Sequence, residues 1–600
     1  MGTGRDVREL RSQERVIVAN TRDLPVDSAT MAQVDGVELV VVKHAEAIAI
    51  FEGRCPHQGT LLSEGSVKDG VLTCRGHGWQ FECASGCGLG QTGARLKQFD
   101  AIVDDDHVMV DRSAVFAWKA QHATARTLPG QSSVRTFRSL AQLPGPKGLP
   151  LVGNLLQIHP SKLHLTLEQW CRDFGLIYTY KLMNRSFVVF ADVDIINQVL
   201  RDRPNSYRRW DAIESVAKEL GMNGVFSAEG EAWRRQRQLV AKALDPTHLR
   251  AFFPMLRNVT ERLHQRWDKA ARERQSVDIQ KDLMRYTVDV TTNLAFGYDM
   301  NTLECEGDVI QKHLERIFPM INRRINSPFP YWHYVKLPAD RSLDRAMNAV
   351  CQIVAELIAS NRTRLTQQSQ PTSHPANFLE ALLTAQEDGQ APLTDEEVLA
   401  NVLTILLAGE DTTANTISWM TYFMCCHPDV QEKMQQEVDS VIGTGTLLDD
   451  LHDVDKLAYL DAVANETMRL KPVGPVSAFE PNHDVRLGDI DIPKGTVIVL
   501  LTRYHALLDE SDGTAHTFEP DRWLSGMHAA SHHRAGFVPF GSGPRLCPGR
   551  SLALLEIRHA IAMMCHNFHL SQSAGGAPVE EVFAFSMVPR NLRVDFHARH

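Results

Sequence analysis

The spacing of hydrophobic positions changes once along this chain. From Val16 to about Val110 they come in short runs, VIVAN, VELVVV and AIAIF among them, separated by Gly, Asp and Lys turns. Short β-rich runs between turn residues are a strand signature, so residues 14–115 are predicted to form a small all-β domain. From Gln121 to Gln142 the pattern lapses into three arginines (Arg126, Arg135, Arg138), small polar residues and no acid. That is linker composition, and residues 116–142 are expected to act as a hinge. After LPGPKGLPLVGNL, helix-period segments dominate residues 143–600, the clearest being 394–426, where Thr394 and Glu397 form a capping box ahead of an apolar run. The second domain is therefore expected to be large and mainly α. Internal repeats and low-complexity tracts are absent from the sequence.

Composition narrows the functional classes. Six hundred residues correspond to two unequal domains or one large one, and 43% hydrophobic with 23% charged residues excludes a disordered, collagen-like or disulfide-scaffold chain. Lys and Arg number 63 against 73 Asp and Glu, a net charge of −10 with no basic stripe, so no nucleic-acid partner is expected. Eleven cysteines are too sparse for a secreted disulfide framework, and MGTGRDVRELRSQERV has no apolar signal region. A reduced, cytoplasmic location is expected. Without 18 consecutive uncharged apolar residues, and with Asp6 breaking a myristoylation pattern, no membrane anchor is expected either.

Two pairs of soft ligands stand near the front of the chain: Cys55-Pro-His57 and Cys74-Arg-Gly-His77. Two thiolates and two imidazoles fit tetrahedral zinc, or a 2Fe–2S cluster with cysteines on one iron and histidines on the other. The words CPHQGTLLSEGSVKDGVLTCRGHGWQFE resemble the Rieske iron–sulfur domain across both ligand loops. The resemblance implies a Rieske 2Fe–2S cluster on Cys55, His57, Cys74 and His77. Where respiratory Rieske proteins carry two bridging cysteines this chain has Thr60 and Gly76. It is thus similar to the ferredoxins and oxygenase domains, toward the low end of a range of about −150 to +300 mV. Cys83 and Cys87 are read as structural, the four-ligand set being full. Gly88 to Gly93 spell GxGxxG, but a dinucleotide site needs a following helix, a second parallel strand and an acid within a βαβ unit, whereas ARLKQFDAIVDDDHVMV reads as another short strand pair, so the string is read as a turn.

A second site lies near the other end. In FVPFGSGPRLCPGRSLALLEIR, glycines allow a tight loop around Cys547 just before a predicted helix, whose N-terminus favours a thiolate. The motif FxxGxRxCxG resembles the haem-binding loop of the cytochrome P450 family, over essentially all of residues 143–600. That resemblance implies a mainly α fold with small β-sheets, haem b, and Cys547 as the axial thiolate whose electron donation favours O–O cleavage. Glu466-Thr-Met-Arg469, alone only an i,i+3 pair, then looks like the family's buried Glu–Arg–Arg core with Arg522. These three are expected to be structural. Trp233 and Arg237, in a WxxxR, are similar to the helix that serves the haem propionates, together with Arg545. The position five residues before Asp484, often an arginine in the family, is Phe479, so one propionate contact is expected to be missing and Phe479 to face the substrate. Ala408-Gly-Glu-Asp411-Thr412-Thr413 resembles the oxygen-binding segment, where Asp411 and Thr412 would relay protons. Their joint presence argues for a monooxygenase rather than the family's isomerases and dehydratases.

Together the two resemblances imply a monooxygenase that uses O2. A 25-residue linker spans about 25–30 Å and sets an effective concentration on the order of millimolar, so electrons would be supplied in cis. No stretch remains for flavin or nicotinamide, which implies an external NAD(P)H-dependent flavoprotein reductase. Ala408, Val473, Val476, Ala478 and Phe479 are the candidate pocket, apolar enough for a lipophilic small-molecule substrate. Competing readings are a Rieske–haem electron carrier or redox sensor without turnover, and a peroxide-driven peroxygenase. A Rieske non-haem oxygenase would need an acid before a His pair, and Leu156 and Ser525 stand where His159/His164 and His528/His533 would require it.

Overall fold

The computed structural model describes residues 15–599 except 23, 35–36, 46, 57–60, 75–78, 90–94, 105, 125–136, 306–316, 318, 328, 368–376, 385–392, 509–513 and 525–535. The chain divides into two compact units, the first running to Phe137 and also taking in Asn197–Arg203 and Phe540–Cys547, the second made of the remainder from Arg138 onward.

The first unit is built of three antiparallel sheets. Strands β1 (Arg15–Asn20), β10 (His107–Asp111) and β9 (Ile102–Asp104) form one. A second runs β2 (Ser28–Val34), β3 (Val37–His44), β4 (Ala47–Glu52) and β8 (Gln98–Phe99), and a third β5 (Ser66–Lys68), β6 (Val71–Thr73) and β7 (Gln80–Glu82). VELVVV forms the centre of β3, and it reads as a continuous apolar run because both faces are covered. Leu39 and Val41 enter one core with Val108 and Val110, while Val40 and Val42 enter another with Phe51, Leu72 and Phe81.

The predicted hinge needs correction at both ends. Helix α1 (Arg112–Thr124) follows β10 directly; its Val115 is 1% exposed in the first core and its Trp118 packs edge-on to Phe99 at 5.8 Å. At the other end Arg138 and Ser139 form β11, paired in parallel with β18 (Ile490–Ile492), and the Arg138 guanidinium donates to both oxygens of Asp489 at 2.7 and 3.0 Å. Two apolar anchors and a two-residue strand held by an ion pair leave almost no periodic signal. Residues 125–136 between them lie outside the described residues.

In the second unit a five-stranded sheet runs β12 (Ile177–Leu182), β13 (Arg185–Phe190), β19 (Val497–Leu501), β16 (Val476–Pro481) and β14 (Tyr207–Arg209), with β13 and β19 parallel. The smaller sheets are β11–β18–β17 (Val485–Leu487), β15 (Val277–Asp278) with β23 (Arg593–Ala598) and β20 (Phe568–Gln572), and the hairpin β21 (Glu580–Phe583) with β22 (Met587–Arg590). The helices that position the site are α2 (Leu163–Phe174), α3 (Asp211–Glu219), α4 (Gly230–Ala243), α5 (Ile279–Phe296), α6 (Asp395–Cys426), α7 (Ala458–Leu470), α8 (Thr502–Ala506) and α9 (Arg550–Asn567).

Helix α6, 32 residues and about 48 Å long, is the axis of this unit. The capping box is present: the Glu397 amide donates to Thr394 Oγ1 at 3.2 Å and the Thr394 amide to Glu397 Oε2 at 2.9 Å. The helix crosses α5 closely because Gly409 has no side chain; a Cβ there would lie 2.5 Å from Thr291 Cγ2. At the same crossing Thr287 Oγ1 donates to the Glu410 carbonyl at 2.9 Å. A buried charge network fixes the hairpin base. Arg503 on α8, 4% exposed, donates to both Glu168 oxygens on α2 at 2.7 Å and to Glu581 on β21 at 2.6 Å, and His164 and Lys471 also reach Glu581. Burial opposes ionisation of Glu581, but the hydrogen bond with His164 and the charges of Arg503 and Lys471 outweigh it and hold its pKa well below the usual carboxylate range. Among the described residues no helix is long and apolar enough to cross a membrane.

Candidate functional site

Cys55 follows β4 and Cys74 follows β6. They are 3% and 2% exposed and share one core with Leu62, Leu72, Phe81 and Leu96, with Trp79 at its edge. The Cys74 amide donates to the Trp79 carbonyl at 2.7 Å, closing the second ligand loop. His57 and His77 lie outside the described residues, as do Thr60 and Gly76. Accordingly no group of three or more His, Cys, Asp and Glu that could hold a metal forms among the described residues. Two buried sulfurs brought into one apolar core fit the thiolate half of a 2Fe–2S site. Cys83 lies in the same core, where burial, then the charges of Asp27 and Glu82, push its thiol pKa up. The Cys83 amide donates to Gly70 O at 2.8 Å and the Glu82 amide to Cys87 O at 2.9 Å, so this pair closes the turn after β7. Most of the GxGxxG string, residues 90–93, lies outside the described residues; beside it the backbone makes antiparallel bridges, Phe81 to Gly88 and Cys87 to Arg95.

Cys547 sits on the loop that leads into α9. Its amide donates to the Phe540 carbonyl at 2.9 Å and that of Leu546 to Gly543 O at 3.0 Å. Gly543 has φ of +70°, and a Cβ there would also lie 2.7 Å from the Leu200 carbonyl oxygen, so only glycine is admitted. The sulfur is half-buried, two residues before the Gly549 N-cap of α9, where the helix dipole stabilises negative charge. A thiolate so placed suits an axial ligand to haem iron. Trp233 and Arg237 lie one turn apart on α4, 5% and 6% exposed, and Arg545 is half-buried in the turn before Cys547. Their indole and guanidinium donors match propionate carboxylates.

Between Ala400 and Thr421 helix α6 is buried except at one place: Ala408 is exposed and Gly409 and Thr412 are half-buried. Thr412 Oγ1 donates to the Ala408 carbonyl at 2.8 Å and Thr416 Oγ1 to the Thr412 carbonyl at 2.9 Å. Asp411, next to this opening, is itself buried. Burial raises its pKa, and hydrogen bonds from Ser586 and Asn415 offset only part of that rise. Neither of these two residues emerged from the sequence. Asn415 stands four residues after Asp411 on the same helix face, a spacing that could have pointed to it. Ser586 is 175 positions away and left no signal.

Glu466, Arg469 and Arg522 meet in one buried cluster. Arg469 Nε and Nη2 donate to Glu466 at 2.9 and 2.8 Å, and Arg522 Nε donates to Glu466 Oε1 at 3.0 Å. The Trp523 indole and the Glu519 amide complete the carboxylate at 2.9 and 3.0 Å.

Of the candidate pocket residues, Ala408 is exposed and Val473, Val476 and Ala478 are half-buried. Phe479 is 2% exposed and paired with Ile498 and Arg209 inside the five-stranded sheet. The next residue carries an unanticipated feature. Glu480 is buried beside Asp211, the first residue of α3, and burial plus that neighbouring carboxylate push its pKa up to about 7. Because this exceeds the ordinary value of 4.5, the folded state keeps a proton the unfolded chain has lost. Stability is therefore expected to fall as pH rises from about 4.5 to about 7. Glu480→Gln should remove that slope and melt above the parent at pH 8 by about 2 kcal/mol; parallel pH profiles of the two proteins would refute this.

A family model described as Rieske [2Fe-2S] domain matches residues 14–100, and one described as Cytochrome P450 matches residues 143–596. The chain belongs to the cytochrome P450 family. Within that class it is a haem monooxygenase with a Rieske 2Fe–2S domain fused ahead of it. It is 27% identical to Protein LUTEIN DEFICIENT 5, chloroplastic, of Arabidopsis thaliana, over 72% of this chain and 74% of that protein. It is 26% identical to Cytochrome P450 3A31 of Mesocricetus auratus, over 71% and 85%. Self-sufficient cytochrome P450 monooxygenase CYP505E3 of Phanerodontia chrysosporium is 25% identical over 71% of this chain and 40% of its own length. Among solved structures, a cytochrome P450DA heme domain superposes with a TM-score of 0.69 at 21% identity, covering 78% of this chain and 99% of that one, which establishes the shared fold.

Proposed function

We propose that an external NAD(P)H-dependent flavoprotein reductase feeds electrons through the fused cluster to the haem, and that one atom of O2 is inserted into a lipophilic small molecule while the other leaves as water. The observation that carries this reading is the opening of α6, where a hydroxyl and a buried carboxyl adjoin in a stretch of the helix that is otherwise buried. Cys55, His57, Cys74 and His77 would hold the cluster, Cys547 the haem iron, and Trp233, Arg237 and Arg545 the propionates. The haem, when bound, supplies the oxygen-activating chemistry. The protein's own contribution is positioning and proton supply. Val473, Val476, Ala478 and Ala408 offer an apolar wall that orients a substrate by shape and excludes water. Thr412 Oγ1 spends its proton on the Ala408 carbonyl and needs one side-chain rotation to turn it toward the opening. Asp411, kept by burial closer to neutrality than an exposed carboxyl, can hold and pass on the replacement proton. Fusion keeps donor and acceptor at an effective concentration on the order of millimolar.

The test is reconstitution with a flavoprotein reductase, NAD(P)H, O2 and an apolar substrate found by its Soret shift. Cys74→Ser is expected to lower NAD(P)H-driven product formation at least about 100-fold, while the chemically reduced haem binds carbon monoxide as in the parent. Undiminished turnover in that variant would place electron entry elsewhere. Turnover with hydrogen peroxide alone, or no oxygen uptake with any substrate, would replace the proposal by a peroxygenase or an electron carrier respectively.

A further inference from the structure

Helix α6 presents three residues at four-residue intervals to a single point on the hairpin β21–β22. Asp411 accepts a hydrogen bond from Ser586 Oγ, Asn415 Nδ2 donates to both Asp411 Oδ1 and Ser586 Oγ at 2.9 Å, and the Trp419 indole donates to the Met587 carbonyl at 3.0 Å. Gln280 on α5 donates to Asn415 Oδ1 at 3.2 Å, which fixes the amide so that its NH2 faces the carboxyl. Ser586 and Asn415 are both buried, at 2% and 0% exposure.

The hairpin tip is bent to make this contact. Phe585, directly before Ser586, has φ of +87°, a left-handed conformation that is costly for a phenylalanine, and the turn is closed by the Ala584 amide on the Ser586 carbonyl at 2.9 Å. Phe585 is half-buried and its ring lies 6.5 Å from that of Phe226, which the Arg209 guanidinium covers at 3.7 Å. A backbone held in a sparsely populated region persists only where its surroundings demand it, and here it aims the serine hydroxyl at the carboxyl.

We propose that Ser586, with Asn415, is a positioning residue for proton delivery: its hydroxyl holds the Asp411 carboxyl in one orientation and so sets which oxygen is available to take up and release the proton. This rests on the reading of Asp411 as the proton-handling acid. Asn415 occupies Oδ1 and Ser586 occupies Oδ2, each through a single donor, so the remaining lone pairs of the carboxyl have fixed directions. Loss of the hydroxyl frees the carboxyl to rotate and leaves Asn415 as its one designated donor in this clamp.

The experiment compares Ser586→Ala, Ser586→Thr, Asn415→Ala and Asp411→Asn in the reconstituted full chain, reading product formed per NAD(P)H consumed, hydrogen peroxide released and the solvent deuterium isotope effect on turnover. Ser586→Ala is expected to lose about 3- to 10-fold in coupling and to raise the isotope effect, with the substrate Kd from the Soret shift and the carbon monoxide spectrum unchanged. Ser586→Thr, which keeps a hydroxyl, should restore both. Combined with Asp411→Asn, Ser586→Ala should add nothing further. If Ser586→Ala fails to load haem, Asn415→Ala, which leaves the hairpin intact, is expected to give the same uncoupling. An additive double variant, equal damage in Ser586→Thr, or parent-like coupling in both single alanine variants overturns the inference. Parent-like coupling in Asp411→Asn overturns the underlying assignment of the acid instead.

Discussion

Cys547→Ala is expected to abolish the thiolate-type Soret band of the reduced, carbon monoxide-treated protein and to lower NAD(P)H-driven oxygenation by at least about a thousandfold, or ~4 kcal/mol in the barrier. The loop itself should survive. Its shape depends on the left-handed glycine at 543, on the amide of residue 547 reaching Phe540 O at 2.9 Å and on the Leu546 amide reaching Gly543 O at 3.0 Å, none of which uses the sulfur. Alanine keeps the Cβ and the backbone donor, so the change removes a ligand rather than a fold. The cluster in the first unit provides the internal control, since Cys55 and Cys74 belong to a separate core and its electron paramagnetic resonance signal should persist. Retention of the band, or loss of the cluster signal together with it, would contradict separate roles for the two sulfur sites.

What could be read ahead of the structure was chemistry carried by words short enough to be local. The glycine-framed Cys547 and the capping box at Thr394 each sit within one loop or one helical turn, where the allowed backbone conformations are few and residue type determines them, whereas Cys55 and Cys74 stand on two separate loops, each legible from the short word around it. Arg503 shows the opposite case. Its partners Glu168 and Glu581 lie 335 and 78 positions away on different elements, and no spacing rule brings them together. Ser586 belongs with it: a lone serine between two short strands reads as a turn residue, and only the register of the hairpin against α6 turns it toward Asp411. Phe479 is legible only as apolar: a strand offers two faces, and the one a residue takes depends on pairing, here with β19, rather than on the residue.

The largest stability effect is expected at Glu466. Its carboxylate is fully buried at 0% exposure and accepts from Arg469, Arg522, the Trp523 indole and the Glu519 amide, while Arg469, at 1%, also donates to the carbonyls of Ala506, Ala515 and Thr517. Glu466→Ala leaves two guanidinium groups without the anion that neutralises them, and breaking one side of a buried pair costs about 3–5 kcal/mol. Against a total stability of roughly 5–15 kcal/mol this should lower Tm by on the order of 10 °C and cut haem content on expression. Glu466→Gln, which preserves shape and one acceptor oxygen, should lose less. The sign with pH follows from the same geometry. Burial alone would raise the pKa of Glu466, but hydrogen bonds and charge from Arg469, then the Glu519 amide and Arg522, outweigh it and hold the carboxyl below its ordinary 4.5. The stabilisation is thus complete above about 4.5 and is lost as pH falls through the lower folded-state value, so the gap in Tm between parent and Glu466→Ala should be full at pH 7 and narrow on acidification. Calorimetry across that range decides it: a variant within about 1 kcal/mol of the parent at pH 7, or a gap that widens in acid, would mean that the triad does not carry the core.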